Sequence, residues 1–486
     1  MGKEKGARNI TKDGNSTKKF TTLDESSLKE QTKKLSIEEG ISYSVMDGTG
    51  LRYITPYALS VGATNTQIGF LTSIPSLMGN FSQLFTSKLI EKHSRKKVIL
   101  FGVLFQALMW LPLLFVGYLH FYKNLTPMLS AGLIILFYTL LTFFGAFASP
   151  AWNSLMRDVV DKNSGKYFGR RNKIVGAVVL VVMLLSGLIL NFFKEKNEIF
   201  IGFFILIIVA FISRIISVNI FKKHHEPKLK LEKGYYFGFI DFIKQLTKNN
   251  FGRFTIFISL IMLTSSIASP FFTVYQLKDL KLSYILWTII SIVSPLSNIL
   301  FMPLWGNLAD RFGNLKILKW TGALIPLVPI LWAVTFFLTN IPYNLFIAYM
   351  IIIELFSGLV WAGFNLSSIT FIYDAVSKQR LALCVAYYNI LSGIGVFIGA
   401  SLGGLLASFN FHLFGMSTII LIFLISGIAR FLVYLAMMPK LKEVRQVEKY
   451  KKGEFKHEFK SQFKNELKTM LYPLYSKFGI YPLRQV

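Results

Sequence analysis

Gly306-Asn307-Leu308-Ala309-Asp310-Arg311-Phe312-Gly313 lies between two long apolar runs, and a degraded copy, Ser87-Lys88-Leu89-Ile90-Glu91-Lys92-His93-Ser94, lies 219 residues earlier between two more. One loop repeated in one hydrophobic setting indicates a duplicated chain. Duplicated membrane halves around a midplane site are a recurring construction of secondary transporters. Two further pairs keep nearly the same offset: Arg214-Ile215-Ile216-Ser217 with Arg430-Phe431-Leu432-Val433, and Asn153 with Asn365.

The composition agrees. The 486 residues are 53% hydrophobic and only 16% charged, and the mean hydropathy is +0.50, which does not suit a water-soluble domain. A hydrocarbon core needs about 20 helical residues to cross. Twelve apolar runs meet that length, near 39–62, 65–88, 98–121, 128–156, 168–193, 198–221, 252–276, 282–307, 315–338, 342–373, 380–408 and 415–438. The expected fold is therefore an all-α membrane protein with twelve transmembrane helices in two pseudo-symmetric six-helix bundles. Its parts are a disordered N-terminal tail (1–38), a first bundle (39–221), a central loop (222–250), a second bundle (251–440) and a basic C-terminal tail (441–486).

Of the 53 Lys and Arg, 45 fall in the tails and in the loops on the same side of the spans, while the opposite loops hold only Lys123, Lys194, Lys196, Lys278 and Lys281. By the positive-inside rule both termini are expected in the cytoplasm of a multi-pass cell-membrane protein. The net charge of +28 is then explained by topology and by an anionic inner leaflet rather than by nucleic acid. In the C-terminal tail, Phe455, Phe459 and Phe463 at a spacing of four suit an amphipathic helix on that leaflet, with a solvated tail as the alternative. The single cysteine, Cys384, has no partner for a disulfide. The histidines show no metal-ligand spacing and no phosphate-binding loop is present, so no metal, cofactor or enzymatic activity is expected.

Gly306, Asp310, Arg311 and Gly313 match the cytoplasmic loop motif of the major facilitator superfamily, which the chain resembles over roughly residues 38–440. The first copy substitutes Ser87, Glu91 and Ser94 but keeps the basic ending Arg95-Lys96-Lys97. Pro150-Ala151-Trp152-Asn153-Ser154, Arg157-Asp158 and Gly165-Lys166-Tyr167-Phe168-Gly169-Arg170-Arg171-Asn172 resemble a widespread, largely uncharacterised prokaryotic branch. The resemblance implies a monomeric carrier of a small molecule, working by alternating access, with spans one, four, seven and ten around a central cavity.

In such a loop the glycines allow close approach and a tight reversal, and an acid ending one span can sit at a helix N-terminus of the other half. Asp310 is expected to face Arg170 and Arg171 at the start of the fifth span, with Glu91 facing Lys378 and Arg380, forming a cytoplasmic gate. Within the spans, Asp47 and Glu354 stand out among 25 acids, because a bare carboxylate in hydrocarbon costs several kcal/mol unless protonated, paired or hydrated. They are the expected proton-coupling or substrate residues. Arg52 is a possible counter-ion to Asp47, although five residues place it about 140° around a helix, leaving a partner elsewhere equally open. The expected lining continues with Trp152, Asn153 and Arg157 on the fourth span and with Ser357, Trp361, Asn365 and Ser368 on the tenth. Arg214 and Arg430 are expected to snorkel to the inner surface. The reading favoured is proton-coupled secondary transport, with an uncoupled facilitator or a non-transporting sensor as alternatives.

Overall fold

Lipid offers backbone amides no partner, so a chain this apolar can cross a bilayer only as helices or a closed barrel. The computed structural model describes residues 14–90, 92–160, 164–227, 238–338, 340–377, 380–409, 411–413, 415–447, 451 and 453–477. Among these the fold is helical apart from one isolated bridge between Leu413 and Met416.

Helix α1 (Gly14–Thr49) breaks at Gly50 and continues through a short turn into Ile54–Ser60. It is followed by α2 (Asn65–Leu89), α3 (Arg95–Lys123), α4 (Pro127–Val159), α5 (Ser164–Glu195) and α6 (Ile199–Lys222). The second half holds α7 (Asn250–Val274), α8 (Tyr284–Phe312), α9 (Asn314–Leu338), α10 (Tyr343–Ala375), α11 (Leu381–Leu406) and α12 (Thr418–Met437), and the tail adds α13 (Glu454–Lys477). Ten of these, α3 to α12, are long and apolar enough to span a membrane among the described residues. Helices α1 and α2 are more polar, and with them twelve helices stand where the sequence places twelve spans. Helix α1 begins 25 residues before the first expected span, inside the stretch expected to be disordered. The Tyr167 hydroxyl donates to the Lys33 carbonyl at 2.9 Å and Arg171 Nε to the Ser36 carbonyl at 3.1 Å, so side chains of α5 hold that extension.

The duplication is visible in the packing. Neighbours in the first half run α2–α4–α3–α6–α1–α5, and in the second α8–α10–α9–α12–α7–α11. Helix α3 breaks at Met109, and α9 breaks at the equivalent Ile325-Pro326. The end caps repeat as well: Glu226, after α6, accepts the Arg95 amide at 2.7 Å, and Glu443, after α12, accepts the Leu315 amide at 2.7 Å. Each carboxylate thereby meets the positive end of a helix dipole. Burial pushes the Glu226 carboxyl up, but hydrogen bonds from Ser94 and the Arg95 and Lys96 amides, with the Arg95 charge, leave it below its ordinary value.

Small residues set the helix spacing. A Cβ at Gly395, Gly399 or Gly403 of α11 would lie 2.3, 2.0 or 2.2 Å from a backbone carbonyl oxygen of α7, so these glycines let the two backbones meet.

The halves join chiefly through α2 against α11 and α5 against α8. The Tyr53 hydroxyl and Thr288 Oγ1 are hydrogen-bonded at 2.7 Å, and Asn65 Nδ2 donates to the Ala407 carbonyl at 3.0 Å. Trp287 lies edge-on to Tyr53 with ring centres 5.2 Å apart. These contacts lie on the side of the bundle away from the termini.

Candidate functional site

The break in α1 builds the first feature. A Cβ at Gly50 would sit 2.2 Å from Trp110, so glycine lets the chain pass this ring as the α-helix gives way to the Leu51–Tyr53 turn. That change of path brings Arg52 back over Asp47, with Nε 3.3 Å from Oδ1. An unbroken helix would hold them about 140° apart. The counter-ion expected as one of two possibilities is therefore Arg52 itself, its side chain 47% exposed against 14% for Asp47.

On α4, Ser149, Asn153 and Arg157 are all exposed at steps of four, forming a polar line on the helix surface. Asn365 on α10 is exposed too, and Trp361 is half-buried, edge-on to Phe364 at 5.6 Å. The rest of the expected α10 stripe turns inward: Ser357 and Ser368 are buried, and Ser368 donates to the Phe364 carbonyl.

Glu354 is oriented by its own half. Trp332 Nε1 of α9 donates to Glu354 Oε1 at 3.1 Å, and the Ser294 hydroxyl of α8 also lies against the carboxyl. Trp332 is itself fully buried and packs on Phe272 and Tyr275 of the α7 end. Among the described residues Asp47 and Glu354 share no contact, so the two acids expected around one pocket are held separately.

A third acid was missed. Glu39 is buried, its Oε1 3.0 Å from Arg214 Nη1 and its Oε2 3.4 Å from Arg171 Nη2. Gln106 accepts from Arg214 Nε at 2.8 Å, and the Tyr43 ring lies under the same guanidinium. Glu39, Tyr43 and Asp47 follow at steps of four, and this periodicity was the available signal. The cluster corrects two expectations. In this conformation Arg171 pairs with Glu39 inside the first half and not with Asp310. Trp152, half-buried, lies beneath Arg171 at 4.8 Å. Arg214 does not snorkel, because a buried carboxylate lies within reach. Arg430 does not either, being buried with Ser426 Oγ at 3.1 Å and carbonyl oxygens of Ile325 and Ser265.

The loop motif is also differently engaged. Asp310 pairs with Arg445 of the tail at 2.9 Å rather than with the start of α5, where Arg170 is exposed. Arg311 pairs with Glu454 and, at 3.0 Å, with Glu458 of α13. Gly313 has φ +85°, a left-handed value that explains the glycine at this reversal. A Cβ at Gly306 would meet only Leu366, at 3.8 Å, so close approach is not what that glycine serves here. Glu91 and Lys378 lie outside the described residues. Among the described residues no group of three or more His, Cys, Asp or Glu is gathered for a metal ion.

The profile of the Major Facilitator Superfamily matches residues 40–367. An uncharacterised MFS-type transporter of Methanocaldococcus jannaschii is 23% identical over 375 residues, covering 75% of this chain and 89% of that one. Among solved structures, the nucleoside transporter NupG (D323A mutant) superposes with a TM-score of 0.68 at 16% identity, covering 85% of this chain and 100% of that one. A bacterial homologue of the iron transporter ferroportin in its inward-facing state gives 0.62 at 13% identity, over 84% and 98%. With the duplicated six-helix halves and the motif that ends α8, this places the chain in the major facilitator superfamily, as a membrane transporter.

Proposed function

We propose that the protein is a monomeric, proton-coupled secondary transporter of a small, modestly polar solute, working by alternating access in the cell membrane with both termini in the cytoplasm. The observation that carries this reading is where the halves touch. Tyr53–Thr288 and Asn65–Ala407 join them on the side away from the termini, while on the terminal side the loop motif pairs with the tail of its own half. That arrangement suits a carrier closed outward and open inward, whose rocking would reverse the two conditions.

The amides of Asn153 and Asn365, exposed at equivalent places in the repeat, supply donors and acceptors for a polar neutral solute. The Asp47–Arg52 pair adds a charge that can be made or cancelled by one proton. A nucleoside, as carried by one structural neighbour, fits this lining better than a bare metal ion, which needs several converging carboxylate, imidazole or thiolate ligands. Asp47 is the coupling carboxyl in this reading, because its partner Arg52 is exposed enough to leave. Glu354, held by Trp332, is the second candidate.

The test is uptake into proteoliposomes, with solutes first chosen from a nucleoside panel by thermal shift. An inward proton gradient is expected to drive accumulation by the unaltered protein. Asp47→Asn should lose that acceleration and keep solute exchange. Gradient-driven accumulation that survives in Asp47→Asn overturns the assignment, and uptake indifferent to the gradient in the unaltered protein favours an uncoupled facilitator.

A further inference from the structure

We propose that the C-terminal segment is a built-in clamp: residues 443–447 and 453–463 engage the charged motif at the end of α8 and must leave it before the terminal side of the carrier can close. The inference rests on the mobile-halves reading above.

Three sets of contacts carry it. Phe455 is almost completely buried against Phe312 and Trp320, with ring centres 5.1 and 4.8 Å away. Phe459 lies 5.4 Å from Trp305, and Phe463 stacks on Phe301 at 5.4 Å. The aromatic stripe that suits a lipid leaflet in the sequence thus faces protein, running antiparallel along the last three turns of α8.

The charges follow the same path. Arg445 holds Asp310, and Glu454 and Glu458 hold Arg311. Glu443, besides capping α9, lies against Gly313, where its Oε2 is 2.5 Å from the position of a Cβ. Asp310 and Arg311, with the glycine that turns the chain after them, are therefore engaged at once by one segment of the same half.

Competition follows from position. Asp310 is turned toward Arg445 of the tail through its Oδ1, so meeting a helix start in the other half means giving up or sharing that pair. Exposed ion pairs are individually weak and exchange readily, so the charged contacts give the clamp its address. Burial of Phe455 and Phe459 supplies most of the holding force. A clamp of this kind shifts the balance between open and closed terminal sides by as much as its differential affinity for the two.

The experiment uses the full chain in nanodiscs with Cys384→Ser and spin labels at two exposed positions, Asn172→Cys on α5 and Asn307→Cys on α8, read by pulsed dipolar spectroscopy. The unaltered tail should give mainly the long distance. Phe455→Ala/Phe459→Ala, and separately Arg445→Gln/Glu454→Gln/Glu458→Gln, should each raise the ratio of short to long distances by roughly tenfold. Two independent variants keep the result readable if one fails to fold. A pair of populations whose ratio ignores both variants overturns the clamp and leaves the mobile halves standing. One unchanging distance in every protein, including one truncated after Val447, overturns both.

Discussion

At the scale of single residues, Glu39 ties two arginines of the first half together. One carboxylate lies between Arg171 and Arg214, both largely buried, and removing it leaves two guanidinium groups without an anion. Breaking a buried pair by deleting one partner costs about 3–5 kcal/mol. Glu39→Gln is expected to lower the unfolding temperature of the purified protein sharply, and Glu39→Gln/Arg214→Met to recover part of the loss. A Glu39→Gln protein that melts like the original would show the cluster to be energetically idle. The sequence made Asp47 and Glu354 conspicuous because each stands alone in an apolar run. Glu39 was hidden by its position at a span boundary, beside Glu38, where charge is ordinary. Its partners lie 132 and 175 residues away, and no local pattern connects them.

At the scale of elements, helix existence was legible and helix docking was not. Runs of apolar residues report burial in lipid or protein without distinguishing the two, which is why the Phe455, Phe459 and Phe463 stripe read as a leaflet anchor and packs on α8. The α1 extension is a similar case. Its sequence is polar enough to suggest disorder, yet Thr32 accepts the His225 amide at 3.0 Å and Tyr167 holds the Lys33 carbonyl.

The neighbouring His224 is expected to make that docking pH-dependent, because the amide that Thr32 accepts belongs to the residue next to it. His224 is buried, with Nδ1 3.1 Å from the Ile220 carbonyl oxygen. Burial holds its pKa below the ordinary 6.5, and Lys96 and Arg171 push the same way against the hydrogen bond that the ring donates to the Ile220 carbonyl. The docked segment therefore binds a proton less readily than the undocked one. Its stability is full above pH 6.5 and declines as pH falls below that value toward the lower, docked pKa. Glu226 stays ionised across this window, because its pKa is lowered from 4.5. Amide exchange in residues 28–38 is expected to quicken between pH 7.5 and 5.5 beyond the intrinsic chemical change. In His224→Gln that excess should vanish, and an equal excess in both proteins would assign the effect to another group.

At the scale of the whole molecule, the twofold repeat was legible from three markers, and the structure adds paired breaks in α3 and α9 and paired caps at Glu226 and Glu443. What the sequence could not show is where the two halves meet, since the contacts that join them pair residues far apart in the chain. The seam away from the termini can be pinned chemically. A Cβ at Gly187 of α5 would lie 2.9 Å from the Thr288 Cβ of α8, short of the Cβ separation of about 3.5 Å at which the disulfide range begins, so an outward shift of either helix by about 0.6 Å brings the pair into range. Gly187→Cys/Thr288→Cys in a Cys384→Ser background should therefore cross-link on oxidation and hold the side away from the termini shut. If transport requires that side to open, the oxidised carrier falls to the flux of empty vesicles, and reductant restores it. Binding of solute from the terminal side should persist in the locked protein, which separates a blocked conformational step from a damaged site. Sustained flux through fully cross-linked protein would mean that the halves need not part at α5 and α8, and alternating access about this seam would have to be abandoned.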